Sequence, residues 1–407
     1  TNQTKNLPMN MISDALARVK PSASMNISAI ALEKKAAGVD IIPMSAGEPD
    51  FDTPDHIKEA AKRALDAGKT KYTAVDGVPE LKKAIADKFK RENDLDVDPS
   101  NCFVATGGKQ IIYNALVASL NPGDEAVIPA PFWVSYPEMV RLTGATPIIL
   151  ETSAETEFKI TPAQLEQSIN ANTKWLLLNS PSNPSGAVYN KEELEALADV
   201  LRKHPNVLIL MDDIYEHLTY GKTFYTMAQI APDLADRVLT MNGVSKAYSM
   251  TGWRIGYCTG PEWLIKAMRK LQGQSTSNPC SIAQWASVEA LNGDQTFLDD
   301  WRKAFIERRD HLVARLNKID GLECLTPDGA FYVYPSCEGL LGKTTAGGRK
   351  LNNDEDVVMA LLEEQDVATV HGAAYGVSPH FRISYAVSME NIDKACDRFE
   401  AFVAGLT

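Results

Sequence analysis

Four short polar runs hold the residue types from which an active site could be built. They are Gly107-Gly108-Lys109, the stretch Asn179-Ser180-Pro181-Ser182-Asn183-Pro184-Ser185-Gly186, Asp212-Asp213-Ile214-Tyr215, and Ser245-Lys246 with Arg254 eight positions further on. Glycines at the start of a helix let backbone N–H groups approach an anion, helped by the helix dipole; they also make an ordinary strand-to-helix turn. Asn183 is a neutral amide donor held between prolines, or part of a plain rigid turn. An acid at the end of a buried strand is costly unless paired, so Asp212 or Asp213 either meets a partner or caps the next helix. Lys246 by default is a solvated lysine, yet Gly243, Ala247 and Gly252 around it suggest that something bulky lies close to the backbone. Each run has a bland reading alone; their order along the chain gives them weight.

Other chemistries find no support. The upstream glycine of a phosphate-binding G-x-x-x-x-G-K-[ST] loop is missing before Lys109, and no G-x-G-x-x-G occurs, which argues against nicotinamide or flavin. The histidines (His56, His204, His217, His311, His371, His380) show no metal-binding spacing, so no metal is expected. The six cysteines are scattered without a C-x-x-C pair, as in a reduced, cytoplasmic protein. A net charge of −12 argues against nucleic acid and anionic membrane as partners. Residues 1–10 are polar and lack the features of an export signal, and no apolar run reaches bilayer length.

The elements that must position these residues follow from pattern. A chain of 407 residues exceeds what one core usually covers. Helical spacing runs over Asp14–Ala37, interrupted at Lys20-Pro21-Ser22 and ended by Gly38, then over Pro54–Ala67 and Pro79–Arg91. Seven β-rich runs follow: Cys102–Thr106, Ala126–Pro129, Pro147–Leu150, Trp175–Asn179, Val207–Met211, Val238–Met241 and Arg254–Cys258. Short apolar runs that do not alternate are strands covered on both faces. With helices between them they predict an α/β fold, a mostly parallel seven-stranded sheet between helices. Ligands in such sheets bind beyond the carboxyl ends of the strands, where the polar runs fall. Helices dominate from Pro261 to about Asn317. A smaller α+β piece then has strands at Gly329–Tyr334, Val367–Val370 and Phe381–Tyr385 and an exposed loop at Gly342–Asn353.

In this order, Asn-Pro-x-Gly, Asp-x-x-Tyr and Ser-Lys-x-x-x-x-x-Gly-x-Arg resemble the fingerprint of the class I aminotransferases, fold type I of the pyridoxal-phosphate enzymes. The resemblance extends from Arg18-Val19-Lys20-Pro21-Ser22 and Ala46-Gly47-Glu48-Pro49-Asp50 to Phe381-Arg382-Ile383-Ser384-Tyr385. Thr70-Lys71-Tyr72-Thr73 and Phe132-Trp133-Val134-Ser135-Tyr136 look like the bacterial-type aspartate aminotransferases. The resemblance implies a small domain built from both chain ends (1–47 and 301–407) around a large cofactor domain (48–300). It implies that Lys246 carries pyridoxal 5′-phosphate covalently and moves a proton between the substrate Cα and the cofactor. Asp212 would pair with the pyridine nitrogen, and Tyr215 and Asn183 would donate to the phenolic oxygen. Arg254 and the Gly108 and Lys109 amides would hold the phosphate, Trp133 would stack on the ring, and Tyr72 would reach the phosphate of a neighbouring subunit in a homodimer with shared sites. Many relatives have a phosphate-binding serine where this chain has Gly243, and Ser245 is the candidate replacement.

For the substrate, the resemblance implies that Arg382 and Asn183 meet the α-carboxylate, a fork that lysine cannot copy. Gly47 would offer a backbone N–H as the small domain closes. Lys109 would take the distal carboxylate, since Leu271-Gln272-Gly273-Gln274-Ser275-Thr276 lacks the arginine of the eukaryotic-type enzymes. The expected reaction is ping-pong exchange between L-aspartate and 2-oxoglutarate, giving oxaloacetate and L-glutamate. Prephenate is a further expected substrate, with Lys20 near the entrance. An aromatic or alanine aminotransferase or a β-C–S lyase would share Lys246, Asp212, Tyr215 and Arg382. A non-catalytic sensor domain would need a basic winged helix, for which this chain has no room.

Overall fold

The computed structural model describes residues 11–407; residues 1–10, read above as a polar lead-in, lie outside the described residues. All seven expected strands form and lie in a single sheet. Its order is Cys102–Ala105, Gly256–Thr259, Val238–Gly243, Leu208–Asp212, Thr173–Asn179, Glu125–Ala130 and Thr146–Glu151. Only Gly256–Thr259 runs antiparallel to its neighbours. The central runs are apolar throughout because helices cover both faces: Leu176, Leu177, Leu178, Ile209, Leu210 and Met211 are all buried. Truncating Leu210 to Ala would cost about 2–5 kcal/mol.

The helices begin and end where local chemistry requires. Lys20-Pro21 separates Asp14–Ala17 from Ala23–Ala36, and Gly38 follows with φ +85°. Pro79 opens the helix Pro79–Asn93 at its first turn. Asn190 and Glu193 form a reciprocal capping box on Lys191–Arg202.

The two ends of the chain share one core. Ile27 and Ala31 pack in the same cluster as Val357, Leu361, Ile392 and Phe399, and Ile42–Pro43 pairs in parallel with Val367–Ala368. The run Val367–Val370 was expected as one strand. Instead Val367–Ala368 and Val370–His371 join different sheets, the second pairing antiparallel with Phe381–Ser384. The expected strand Gly329–Tyr334 contracts to Tyr332–Val333, with Ala330 at positive φ before it. The helix Phe297–Leu316 runs through residue 300 without a break, its Leu298 packed in a large-sheet cluster and its Phe305 in the core of the chain ends. Gly342–Asn353 is a loop, braced by a bridge between Thr344 and Lys350. No helix among the described residues is long and apolar enough to cross a membrane.

Candidate active site

The carboxyl ends of the parallel strands face one cavity of about 470 Å³. Asn179 closes one strand and Asp212 the next, while Gly108 and Lys109 open the helix after Cys102–Ala105. Arg254 was expected inside its strand. It lies two residues ahead of Gly256–Thr259 at φ +58°, and because that strand is antiparallel, its start falls at the same edge. Gly47, Gly108, Lys109, Trp133, Asn183, Asp212, Tyr215, Ser245, Lys246, Arg254 and Arg382 all line the cavity. Tyr72 does not; its side chain projects into solvent at 90% exposure. Lys20 is also outside the lining, exposed, with its backbone N–H donating to Glu138 Oε2 at 2.9 Å.

Asp212 is the buried anion of the site. Burial lifts its pKa to about 6, while hydrogen bonds from Tyr136 and the Ile214 N–H, and the charge of Lys246, act in the opposite direction. The Ile214 N–H reaches Oδ1 at 3.3 Å, and the Tyr136 hydroxyl donates to Oδ2. Both donors are neutral, so a cationic group in the cavity would complete the set. Lys246 points its amine at the carbonyl of Gly47, across the cavity from its own element. Burial first, then the charges of Arg382 and Arg254, lower its pKa to about 8, against the opposing pull of Glu48 and Asp212. A lysine so tuned is a usable nucleophile and base.

The opposite wall recognises anions. Arg382 is buried and, among the described residues, has no carboxylate partner: one nitrogen donates to Asn183 Oδ1 at 2.9 Å, another to the Ser45 carbonyl, and Nε is unpartnered. Its guanidinium lies over the rings of Tyr332 and Tyr375, 4.4 and 5.4 Å from their centroids. Because Asn183 presents its oxygen to Arg382, its amide N–H groups remain for the cavity. A second cationic patch lies at the N-terminus of Gly108–Ser119. Among the described residues Arg254 has no acidic partner there, and Lys109 Nζ sits 4.9 Å above the Trp133 ring, its pKa lowered by burial and by Arg254.

The glycines here are explained by protein packing. A Cβ on Gly107, at φ +84°, would strike the Arg254 guanidinium, and one on Gly256 would strike the backbone of Gly107 and Gly108. A Cβ on Gly243 would press on Ile214 and on the Ile255 carbonyl at 3.0 Å, so a serine there would fit only if its neighbours gave way by a few tenths of an ångström. The expectation that small residues make way for a bulky ligand is therefore corrected for Gly243 and Ala247, while the space at Gly252 is open. Gly243 and Ala247 are packed against protein, and a Cβ on Gly252 would meet nothing within 4 Å. Ser245 does line the cavity, and among the described residues its hydroxyl has no partner.

Three tyrosines escaped the sequence reading. Tyr136 belongs to a run quoted above but carried no assigned role, Tyr332 lay within the expected strand Gly329–Tyr334, and Tyr375 was given no reading. The first bonds Asp212, and the other two enclose Arg382. Nothing in local spacing marks them, since each acts on a residue distant in sequence.

The residues fit pyridoxal phosphate. A doubly glycine-lined helix start with Arg254 suits a phosphate, an unpaired buried carboxylate suits a cationic ring nitrogen, and Lys246 suits an aldehyde.

A seven-stranded, mostly parallel sheet with this lysine, aspartate and arginine set defines an enzyme of amino-group chemistry, and residues 39–399 match the family model for aminotransferases of class I and II. The chain belongs to that family. It is 60% identical over 400 residues to the aspartate/prephenate aminotransferase of Cereibacter sphaeroides, covering 98% of this chain and 100% of that protein. The crystal structure of the aspartate aminotransferase from Rhizobium meliloti superimposes with a TM-score of 0.95 at 50% identity, covering 97% of this chain and 99% of that one. The aspartate aminotransferase of Thermus thermophilus, solved with maleate, gives 0.90 at 44% identity over 96% and 99% of the two chains.

Proposed function

We propose that this protein exchanges the amino group of L-aspartate with 2-oxoglutarate, forming oxaloacetate and L-glutamate in ping-pong fashion, with pyridoxal 5′-phosphate as cofactor and prephenate as a further amino acceptor. The observation that carries the reading is the convergence of Lys246, Asp212 and Arg382 on one cavity. The names of the relatives at 50–60% identity support the substrates.

The cofactor, when bound, supplies an aldehyde for amines and a ring that takes up the electrons released at the substrate Cα. Lys246 would tether it and, when free, would hold and move the proton of the substrate Cα; a pKa near 8 leaves part of its amine neutral for this at neutral pH. Asp212 holds a proton on the ring nitrogen by opposing its positive charge. Tyr215 and the free amide of Asn183 donate to the phenolic oxygen. Arg254, the Gly108 and Lys109 N–H groups and the Ser245 hydroxyl hold the phosphate, and Trp133 covers the ring. Arg382 binds the α-carboxylate and excludes substrates that lack one; the Gly47 N–H joins it when the small domain (1–47 and 301–407) closes on the large (48–300). The Lys109 side chain takes the distal carboxylate of aspartate, a role separate from that of its backbone N–H.

Tyr72, fully presented to solvent, is proposed to complete the phosphate site of a second copy of the chain, so that two sites are shared across a homodimer. All six cysteines are free thiols, which supports a cytoplasmic location.

Borohydride reduction followed by peptide mapping tests the centre of this proposal. The label is expected on Lys246, and Lys246→Ala should lose both the visible absorption and the activity. A label on another lysine would sink it. A panel of aspartate, glutamate, tyrosine and prephenate then separates this reading from aromatic or alanine aminotransferases.

A further inference from the structure

Behind the cavity, and not part of its lining, Tyr332 is completely buried. Its hydroxyl lies 2.7 Å from that of Tyr215. The two rings meet edge to face, centroids 5.8 Å apart, and the Arg382 guanidinium is stacked 4.4 Å from the Tyr332 centroid. Two hydroxyls that share one hydrogen bond must divide the roles, one donating and one accepting. If Tyr215 spent its proton on Tyr332, it would present only lone pairs to a phenolate oxygen, which is repulsive. The opposite arrangement satisfies both groups, because Tyr332 has no other hydrogen-bond partner for its proton among the described residues. A cation over the Tyr332 ring makes its hydroxyl the better donor of the pair. Burial raises the pKa of both phenols and Arg382 opposes the rise in each, so both keep their protons at neutral pH.

We propose that Tyr332 is a positioning residue whose hydroxyl donates to Tyr215, fixing the Tyr215 proton on the cavity side and strengthening its donation to the cofactor's phenolic oxygen. The proposal rests on the reading that the cavity holds pyridoxal phosphate. Bonds in such a chain polarise one another, each strengthening the next by about 10–30%. A stronger donor at the phenolic oxygen withdraws negative charge from it. That charge stabilises the proton on the lysine-linked nitrogen, so Tyr332 acts to hold the pKa of that nitrogen down. The charged or titratable groups that face the pair are Arg382, Asp212, Lys246, Tyr136, Tyr375 and, further off, Glu48. Arg382 is itself held by the two phenols, so the comparison with and without the Tyr215 hydroxyl separates an effect through Tyr215 from one through Arg382.

The test is a spectrophotometric pH titration of the lysine-linked cofactor in four proteins: the wild type, Tyr332→Phe, Tyr215→Phe and the double variant. Tyr332→Phe is expected to raise the apparent pKa by about 0.3–0.5 pH units. Tyr215→Phe should raise it further, and adding Tyr332→Phe to that background should change nothing more. An unshifted Tyr332→Phe enzyme, or an equal shift with and without the Tyr215 hydroxyl, overturns the proposal, because Tyr332 would then not act through Tyr215. Thermal melting of each variant separates these outcomes from misfolding, and if Tyr332→Phe does not fold, the Tyr332→Leu pair decides by the same comparison. A wild-type protein with no visible lysine-linked band would instead remove the cofactor reading beneath it.

Discussion

Oδ2 of Asp212 accepts a hydrogen bond from the hydroxyl of Tyr136, 76 residues earlier in the chain. Tyr136 follows Trp133 by three positions, and the two rings pack edge to face at 5.4 Å. The segment that floors the cavity with Trp133 thus also orients the carboxylate at the end of Leu208–Asp212. With the Ile214 N–H on its other oxygen, Asp212 is fixed in direction by two neutral donors, and no cation among the described residues forms an ion pair with it.

Tyr136→Phe should therefore weaken cofactor binding through Asp212. Loss of a hydrogen bond to a charged group costs about 1.5–3 kcal/mol, or roughly a ten- to hundredfold loss of cofactor affinity. The pH dependence carries the sign. The Tyr136 bond lowers the pKa of Asp212, which stands at about 6. Without it the pKa rises, the carboxyl takes up its proton at higher pH, and the acid limb of cofactor binding moves upward. Fluorescence titration of apoenzyme with cofactor between pH 5 and pH 8, a window chosen to bracket that pKa, measures both effects. An unmoved acid limb would mean that Asp212 does not depend on Tyr136.

Much of this site was legible because a buried parallel sheet writes itself plainly: its strands are unbroken apolar runs, and the residues just past them meet at one edge. Asn183, Asp212 and Lys246 could be placed in that way before any contact was known. Tyr136 and Tyr332 could not. An aromatic beside apolar neighbours reads as core, and their partners lie 76 and 117 residues away. Gly243 shows the converse error, a glycine read as space for a ligand that instead eases close packing against Ile214 and Ile255. The run Val367–Val370 shows another: period and composition describe a strand, but not that Thr369 hands it from one sheet to the next.

Lys109 should discriminate between substrates. Its ammonium is unpaired, lines the cavity and lies over Trp133. Lys109→Ala is expected to lower kcat/KM for aspartate by roughly ten- to a hundredfold, the worth of one charge-assisted hydrogen bond, and that for alanine by no more than about threefold. Steady-state kinetics with both amino acids decides the matter, and equal losses would remove the distal-carboxylate role.

Away from the cavity, a buried ionic cluster makes the fold sensitive to acid. Lys88, fully buried, donates to Glu216 at 2.5 Å and to Asn93 at 2.7 Å, and Glu92 accepts from His217 at 3.1 Å. Burial alone would raise the Glu92 pKa; the His217 hydrogen bond and charge, with Lys88 and Arg91, bring it instead to about 2. A depressed carboxyl pKa contributes stability that is complete above its ordinary value of 4.5 and is lost as pH falls toward 2. The contribution is about 3 kcal/mol. Denaturant unfolding should show wild-type stability falling between pH 5 and pH 3, with Glu92→Gln less stable at pH 5 and much flatter over that interval. Parallel curves would assign the acid sensitivity to other carboxyls.

Tyr72 offers a test of site sharing that no single variant provides. Its side chain is 90% exposed and stands outside the cavity of its own chain. The loop beneath it is nonetheless held firmly: the Gln284 amide donates to Thr73 Oγ1 at 3.1 Å, and Gln272 donates to the Val75 carbonyl at 2.7 Å. A rigid loop presenting an exposed phenol is preorganised to enter another copy of the chain. Tyr72→Ala and Lys246→Ala proteins should each be impaired alone. Mixed, unfolded and refolded in equal amounts, about half the dimers are hybrids, and each hybrid has one site with both residues intact. Activity should then rise to about a quarter of that of the wild type, as measured by oxaloacetate formation. If the mixture stays at the mean of its two components, Tyr72 serves its own chain or no site at all.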